Sequence, residues 1–459
     1  MSLLIKGGRV VTDTEDYTAD ILCEGETITA IGSQLDSPAH ATVIDAGGKL
    51  VMPGFIDPHV HIYLPFMGTY AKDDWDSAGR AAIVGGTTSL IEMICPAANE
   101  DPWEAYQLWR GKAESLAPCD FTFHMGVTRF DDGAADKFRR IVADGVASFK
   151  VFLAYKGALG VSDEELFKTL ELAAELGVIV TAHCENETLV AELQQRLLAA
   201  GKTGPEFHEP SRPVRVEASG VQHLTTFAEL TGASVYAVHT SNRAAVEAAL
   251  AARGRGVKIW VETVIPYLTL DESYAQRPDF EGAKYVMSPP IRTKAEQEYL
   301  WQALAAGDVS TVATDHAPFD FQGQKEMGRG DFTKIPNGIP SVEERVKLLY
   351  THGVVPGRIT LNRFVDAAST QAAKLFGLYP QKGAIKVGSD ADLVVWDPEH
   401  RGTISAETHL MQTDYSGFEG WQVQGRAEVV TVRGKVMAQS GKFVGEPGHG
   451  RFLARKPTH

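Results

Sequence analysis

The sequence predicts an α/β fold, a (β/α)8 TIM barrel joined to a small β-sandwich domain formed from both chain ends. Three observations predict it. Eight apolar strand-like runs, near Met52, Thr88, Phe121, Phe149, Ile179, Val235, Ile259 and Val312, alternate with helical patterns over roughly 330 residues. The two ends of the chain share a texture of short strands and tight turns. No GxGxxG or GxxxxGKS/T phosphate loop follows any of the strands, which argues against a doubly wound open sheet.

From Leu3 to about Leu50 the chain reads as short strands, LLIKGGRVV, ADILCEG, ETITAIG and ATVIDAGGKL, so residues 1–52 are assigned to the first part of the sandwich. Residues 53–382 are assigned to the barrel. Its helices include Asp163 to Leu176 (DEELFKTLELAAEL) and Ser241 to Arg253 (SNRAAVEAALAAR), with apolar positions at helical spacing and Ser241 offering an N-cap oxygen. The strand-and-turn texture returns in GAIKVGSDADLVVWDP, AEVVTVRGKVMAQ and GKFVG, so residues 383–445 complete the sandwich. Chain ends commonly lie close together, which makes such a composite domain ordinary. Residues 446–459, ending in the basic GRFLARKPTH, are read as a C-terminal tail able to serve as an arm in an oligomer.

At 459 residues the chain exceeds one compact core, and 44% hydrophobic with 22% charged residues is the makeup of a soluble globular protein. A formal charge of −15 with no Lys/Arg-rich run repels phosphate backbones and anionic lipid, so neither nucleic acid nor membrane is expected as a partner. No signal-peptide pattern opens the chain, and no stretch approaches the roughly 18 to 20 apolar residues of a membrane span. The four cysteines, Cys23, Cys95, Cys119 and Cys184, form no CxxC pair and read as free thiols of a reducing, cytoplasmic setting. Strand alternation turns Cys184 away from whatever His183 faces.

Five of the strand-like runs end in residues able to bind metal: FIDPHVH, the start of SFKVFLA, VIVTAH, SVYAVH and VSTVATDH. In a barrel, the C-terminal ends of the strands form the active-site rim. His59, His61, Lys150, His183, His239 and Asp315 would converge there, the pattern of a two-metal hydrolase. Other histidines, such as His223, His352 and His409, fit no cluster. His59 and His61 are two residues apart and face one side of a strand, and neutral imidazole suits zinc and similar divalent metals. Asp57 shares that face and reads either as a carboxylate orienting a histidine or as a turn residue.

Lys150 is the unusual member. An ammonium pointing at two divalent cations is electrostatically expelled, so the neutral amine dominates and can capture CO₂ as a carbamate, N6-carboxylysine, that bridges the ions. Two divalent ions then face three negative charges, those of the carbamate, Asp315 and a bridging hydroxide, one more than without the modification. An ordinary salt-bridged lysine and a Schiff-base lysine are the alternatives. Asp315 can hold one metal, accept the proton of the attacking hydroxide and deliver it to a leaving nitrogen, as general base and then acid.

DPHVHIYLPF, SFKVFLAYKG, VTAHCEN, AVHTSN, KYVMSPPIR, ATDHAPF and NGIPSVEERV together resemble the amidohydrolase superfamily, and within it the dihydropyrimidinases and D-hydantoinases. The resemblance runs end to end and includes SDADLVVWDP and TDYSGFEG. It implies a zinc-type dinuclear centre on His59, His61, carboxylated Lys150, His183, His239 and Asp315. It also implies that Tyr155 stabilises the oxyanion and that Ser288 and Asn337 bind the cyclic imide or ureide through backbone groups. Tyr63, Leu64, Phe66, Phe152 and Leu159 are the loop residues implied to contact the ring substituent. The implied reaction opens dihydrouracil, dihydrothymine or 5-substituted hydantoins to N-carbamoyl amino acids, as in pyrimidine catabolism. A homotetramer is implied too, with the tail from Gln424 to His459 reaching a neighbouring subunit.

Neighbouring activities are separable by residue. Tyr63 stands where dihydroorotate-hydrolysing relatives place an arginine, which argues against that substrate. An allantoinase-type cyclic ureide hydrolase is the alternative, although SFKVFLAYKG and MSPPIR look more like dihydropyrimidinase. A single-metal deaminase-like site would have no use for Lys150. A non-catalytic scaffold homologue lacks metal ligands, whereas every such position here carries a competent side chain.

Overall fold

The structure is a computed structural model describing residues 2–459. Among these residues, eight parallel strands form the barrel: β1 Phe55–Val60, β2 Thr87–Ile94, β3 Asp120–Gly126, β4 Ser148–Lys156, β5 Ile179–His183, β6 Val235–Ala237, β7 Ile259–Val264 and β8 Thr311–Ala313. Each pairs in parallel with the next. The ring closes where the Asp315 N–H donates to His59 O at 3.0 Å and the His61 N–H to His316 O at 2.8 Å. Closure therefore falls among the predicted ligands themselves.

Alternation along the strands separates an apolar outer layer from a polar interior. Phe121, Phe123, Met125, Phe149, Val151, Val180 and Ala182 belong to the main apolar core. The intervening His124 reaches Ser148 Oγ at 2.7 Å, and Tyr236 OH reaches Glu262 Oε2 at 2.8 Å and Thr311 Oγ1 at 2.5 Å. A barrel with this many buried polar groups stands because they pair with one another.

Three local expectations change. Met52 lies in Leu50–Pro53, a strand of the terminal sheet, and the first barrel strand begins at Phe55 after Gly54. Gly54 marks the break because a Cβ there would lie 2.1 Å from Thr88 Oγ1. Lys150 does not end its strand: β4 runs on to Lys156 and bridges back to Gly160, forming an arm over the barrel mouth. The helix expected from Ser241 begins at Arg243, capped by Asn242, whose Oδ1 accepts from the Ala245 N–H at 3.0 Å. Ser241 instead bonds to the buried Glu217 carboxylate. Helix Asp163–Leu176 forms as expected, started by a Ser162–Glu165 capping box and stopped by left-handed Gly177.

The terminal domain is one nine-stranded sheet around its own apolar core of Leu3, Ile5, Val10, Ile21, Val51, Leu393 and Val395 among others. The two chain ends meet where Leu393–Thr403 pairs antiparallel with Leu50–Pro53, Val394 opposite Met52. The tail lies against its own barrel. Phe452 packs on Phe121 and Phe123, and buried Arg455 donates to Thr122 Oγ1, Phe123 O and Ser148 Oγ. The four cysteines are buried and free, and Cys184 packs in the outer core as alternation requires. Among the described residues no helix is long and apolar enough to cross a membrane.

Candidate active site

His59 in β1 and His61, just past its end, keep one face, with Val60 between them. His59 Nε2 and His61 Nε2 are 3.3 Å apart and lie 3.0 and 3.2 Å from Asp315 Oδ1. Across the mouth, His183 Nδ1 lies 2.9 Å from His239 Nε2. Lys150 is fully buried, and its Nζ has no hydrogen-bond partner. It lines one pocket together with His61, His183, His239 and Asp315. Burial pushes the Lys150 ammonium down to about 8, which leaves an appreciable neutral share near neutral pH.

The outer nitrogens fix the tautomers. His59 Nδ1 meets Glu262 Oε1 at 2.7 Å, and His183 Nε2 meets Glu185 Oε2 at 2.8 Å. Each imidazole thus donates outward and turns a lone pair inward. At His59 the inward nitrogen lies 3.0 Å from Asp315 Oδ1, an arrangement that needs a positive charge, a proton or a cation, between them. Burial lowers the His59 pKa, but the Glu262 and Asp315 charges outweigh it and leave it raised. Burial likewise raises the Asp315 carboxyl, yet the surrounding imidazoles draw it well below the usual range. His61, pressed mainly by burial, falls to about 4. Glu185 is pushed up by burial, then drawn down to about 2 by the Arg212 charge and His183. The inward-facing lone pairs, the ionised carboxylate and the orphaned amine make a donor set that fits divalent cations.

Glu262 and Glu185 were not among the sequence-derived candidates. Glu262 serves three groups, because besides His59 it accepts from the His239 N–H at 2.9 Å and from Tyr236 OH. A lone carboxylate inside the apolar strand IWVETV was the available signal. Of the two readings of Asp57, histidine orienter or structural turn residue, the second fits, since it hydrogen-bonds no imidazole. It accepts from the His59 and Thr314 N–H groups and from Thr314 Oγ1, joining β1 to the end of β8.

The remaining candidates gather at the same pocket. Leu64, Phe66, Phe152 and Leu159 form an apolar wall, and Tyr155, Ser288 and Asn337 a polar one. Tyr63 is the exception: it packs against Trp109 and Tyr70 beneath Lys112, because the chain turns after His61 and carries it outward. The Tyr155 hydroxyl sits beside Ser288 and Asn337, and burial raises its pKa, so it remains a donor. Asn337 Nδ2 donates to Ser288 Oγ at 2.9 Å, which ties the two loops together at the pocket. Tyr155, His239 and Asp315 all adopt positive φ, at 64°, 36° and 52°. Strain held in that region by non-glycine residues concentrates at functional sites.

The Amidohydrolase family model matches residues 50–437. D-hydantoinase of Geobacillus stearothermophilus is 46% identical over 456 residues, covering 99% of this chain and 97% of that protein. Dihydropyrimidinase of Rattus norvegicus is 39% identical over 462 residues, covering 99% and 89%. A solved D-hydantoinase (dihydropyrimidinase) from Thermus sp. superposes with a TM-score of 0.98 at 59% identity over 99% of both chains. The chain belongs to the amidohydrolase family, and within it to the hydantoinase and dihydropyrimidinase group of cyclic-amide hydrolases.

Proposed function

We propose that this chain opens the ring of dihydropyrimidines (dihydrouracil, dihydrothymine) and 5-substituted hydantoins to N-carbamoyl amino acids. The observation that carries the reading is Lys150 Nζ, wholly buried and unpartnered in a pocket shared with three imidazoles, Asp315, Tyr155, Ser288 and Asn337. His59, His61, His183, His239, Asp315 and carboxylated Lys150 would hold two divalent ions, zinc by ligand type. Such ions supply Lewis acidity toward the scissile carbonyl and make the attacking water more acidic.

The chain's own groups do the rest. Asp315, ionised at neutral pH, takes the proton of the attacking water and passes it to the leaving ring nitrogen. Tyr155 donates its O–H to the oxygen on which charge develops. Ser288 and Asn337 present backbone groups to the ureide edge, which orients the ring. Leu64, Phe66, Phe152 and Leu159 accept the substituent at the ring carbon. The proposed setting is a cytoplasmic homotetramer acting on small molecules in pyrimidine catabolism, supported by the end-to-end resemblance.

Two substitutions test individual roles. Tyr155→Phe should lower kcat about 10²- to 10³-fold with metal content unchanged, as loss of one oxyanion donor does; an unaltered kcat would remove Tyr155 from the chemistry. Glu262→Gln should weaken divalent-metal retention about 10- to 100-fold, read by dialysis against graded chelator. Retention equal to the parent would mean that Glu262 does not set the His59 tautomer. The overall reading is tested by kinetics on dihydrouracil, hydantoin, both hands of a 5-aryl hydantoin, allantoin and dihydroorotate. Turnover of the first three classes supports it, and preference for allantoin or dihydroorotate refutes it.

A further inference from the structure

Lys325 lies in the short turn Lys325–Gly328 within the long connection after β8, and it is fully buried. Its Nζ meets three backbone carbonyls and nothing else: Val286 O at 2.9 Å, Pro336 O at 2.7 Å and Gly338 O at 2.7 Å. Carbonyl oxygens only accept, so three contacts need three N–H bonds, which only the ammonium has. Burial opposes that charge and drives the pKa well down. The geometry nevertheless holds the charged form, because removing one proton would leave a buried carbonyl facing a lone pair.

The three carbonyls are not scattered. Val286 stands two residues before Ser288, and Pro336 and Gly338 flank Asn337. The two loops are themselves joined, through the Gly338 N–H donating to Val286 O at 2.9 Å and the Asn337 amide on Ser288 Oγ. Packing carries the turn to the same place. A Cβ on Gly328 would lie 2.2 Å from Ile335 Cγ1, and Val286, Ala283, Phe332 and Ile335 form one small apolar cluster. Gly338, at φ 151°, lies against Ala317, which lines the pocket.

We infer that Lys325 is a positioning residue, an internal ammonium clamp that fixes the two loops presenting Ser288 and Asn337 to the substrate while contacting neither substrate nor metal ligand. The inference rests on the proposed role of those loops. A cation suits the task because one atom with three donors locks three chain positions at once, which no apolar side chain of that volume can do.

The test compares the parent protein with Lys325→Met, which removes all three donors, and Lys325→Gln, which keeps two. The expected result for Lys325→Met is a KM for hydantoin raised about tenfold or more, kcat reduced less than about threefold, and unchanged metal content. Amide exchange of Ser288, Asn337 and Gly338 should quicken, while that of His61 and His183 stays as in the parent. Lys325→Gln should fall between the two. Unchanged KM together with unchanged loop exchange would overturn the inference. So would failure of both variants to fold, since that would assign Lys325 to the stability of the barrel. If the parent turned over no cyclic amide, the functional reading would fall by itself, and loop exchange alone would decide whether Lys325 holds the two loops.

Discussion

Lys150→Ala is expected to lose both metal ions and to lower turnover of the best cyclic-amide substrate by at least about 10³-fold, the scale on which removal of one preorganised electrostatic group acts. The cause is specific. The amine makes no hydrogen bond in the fold, so its removal breaks none, and the apo protein should remain folded with an unchanged circular dichroism spectrum. What disappears is the group proposed to put an anionic bridge between the His59–His61 and His183–His239 halves of the site. A short carboxylic acid, small enough for the vacated space, should restore part of both metal content and rate, because its two oxygens imitate a carbamate. Full turnover in Lys150→Ala without added acid would show that no bridge from β4 is needed.

Asp315→Asn should lower kcat about 10²- to 10⁴-fold with excess divalent metal present, while KM changes far less. An amide keeps an oxygen for the metal side but cannot accept the proton that the proposed mechanism passes through Asp315 to the leaving nitrogen. The surroundings of Asp315 are arranged for an ionised carboxylate, with His59 and His61 nitrogens 3.0 and 3.2 Å away outweighing its burial. Pre-steady-state measurement under saturating substrate separates this from slow product release. A KM rise with kcat preserved would reassign Asp315 to binding.

The barrel, and the strand positions of most candidate site residues, were legible because they depend on short-range patterns. His59 and His61 share a face by simple alternation, and His183 closes its strand at the rim. Asp163–Leu176 carries both its cap and its glycine stop within a few residues of its ends. Elements that the sequence misplaces are those decided by distant neighbours. Met52 belongs to the terminal sheet because Val394, more than three hundred residues later, pairs with it. Ser241 fails as a cap because Glu217, on another helix, takes its hydroxyl, and Asn242 is left to do the capping. Glu262 orients His59 across 203 residues of sequence, a relation no local window contains. Lys325 is similarly silent, since a lysine in a polar connection gives no sign that three carbonyls will enclose it.

A carbamate on Lys150 is the claim on which the rest turns. The most direct measurement is carbon-13 NMR of fully active enzyme equilibrated with ¹³C-bicarbonate, with metal content determined on the same sample. One carbamate carbon and two divalent ions per chain, absent together from Lys150→Ala, is the expected result. An active enzyme with a bare amine and a single ion would contradict it.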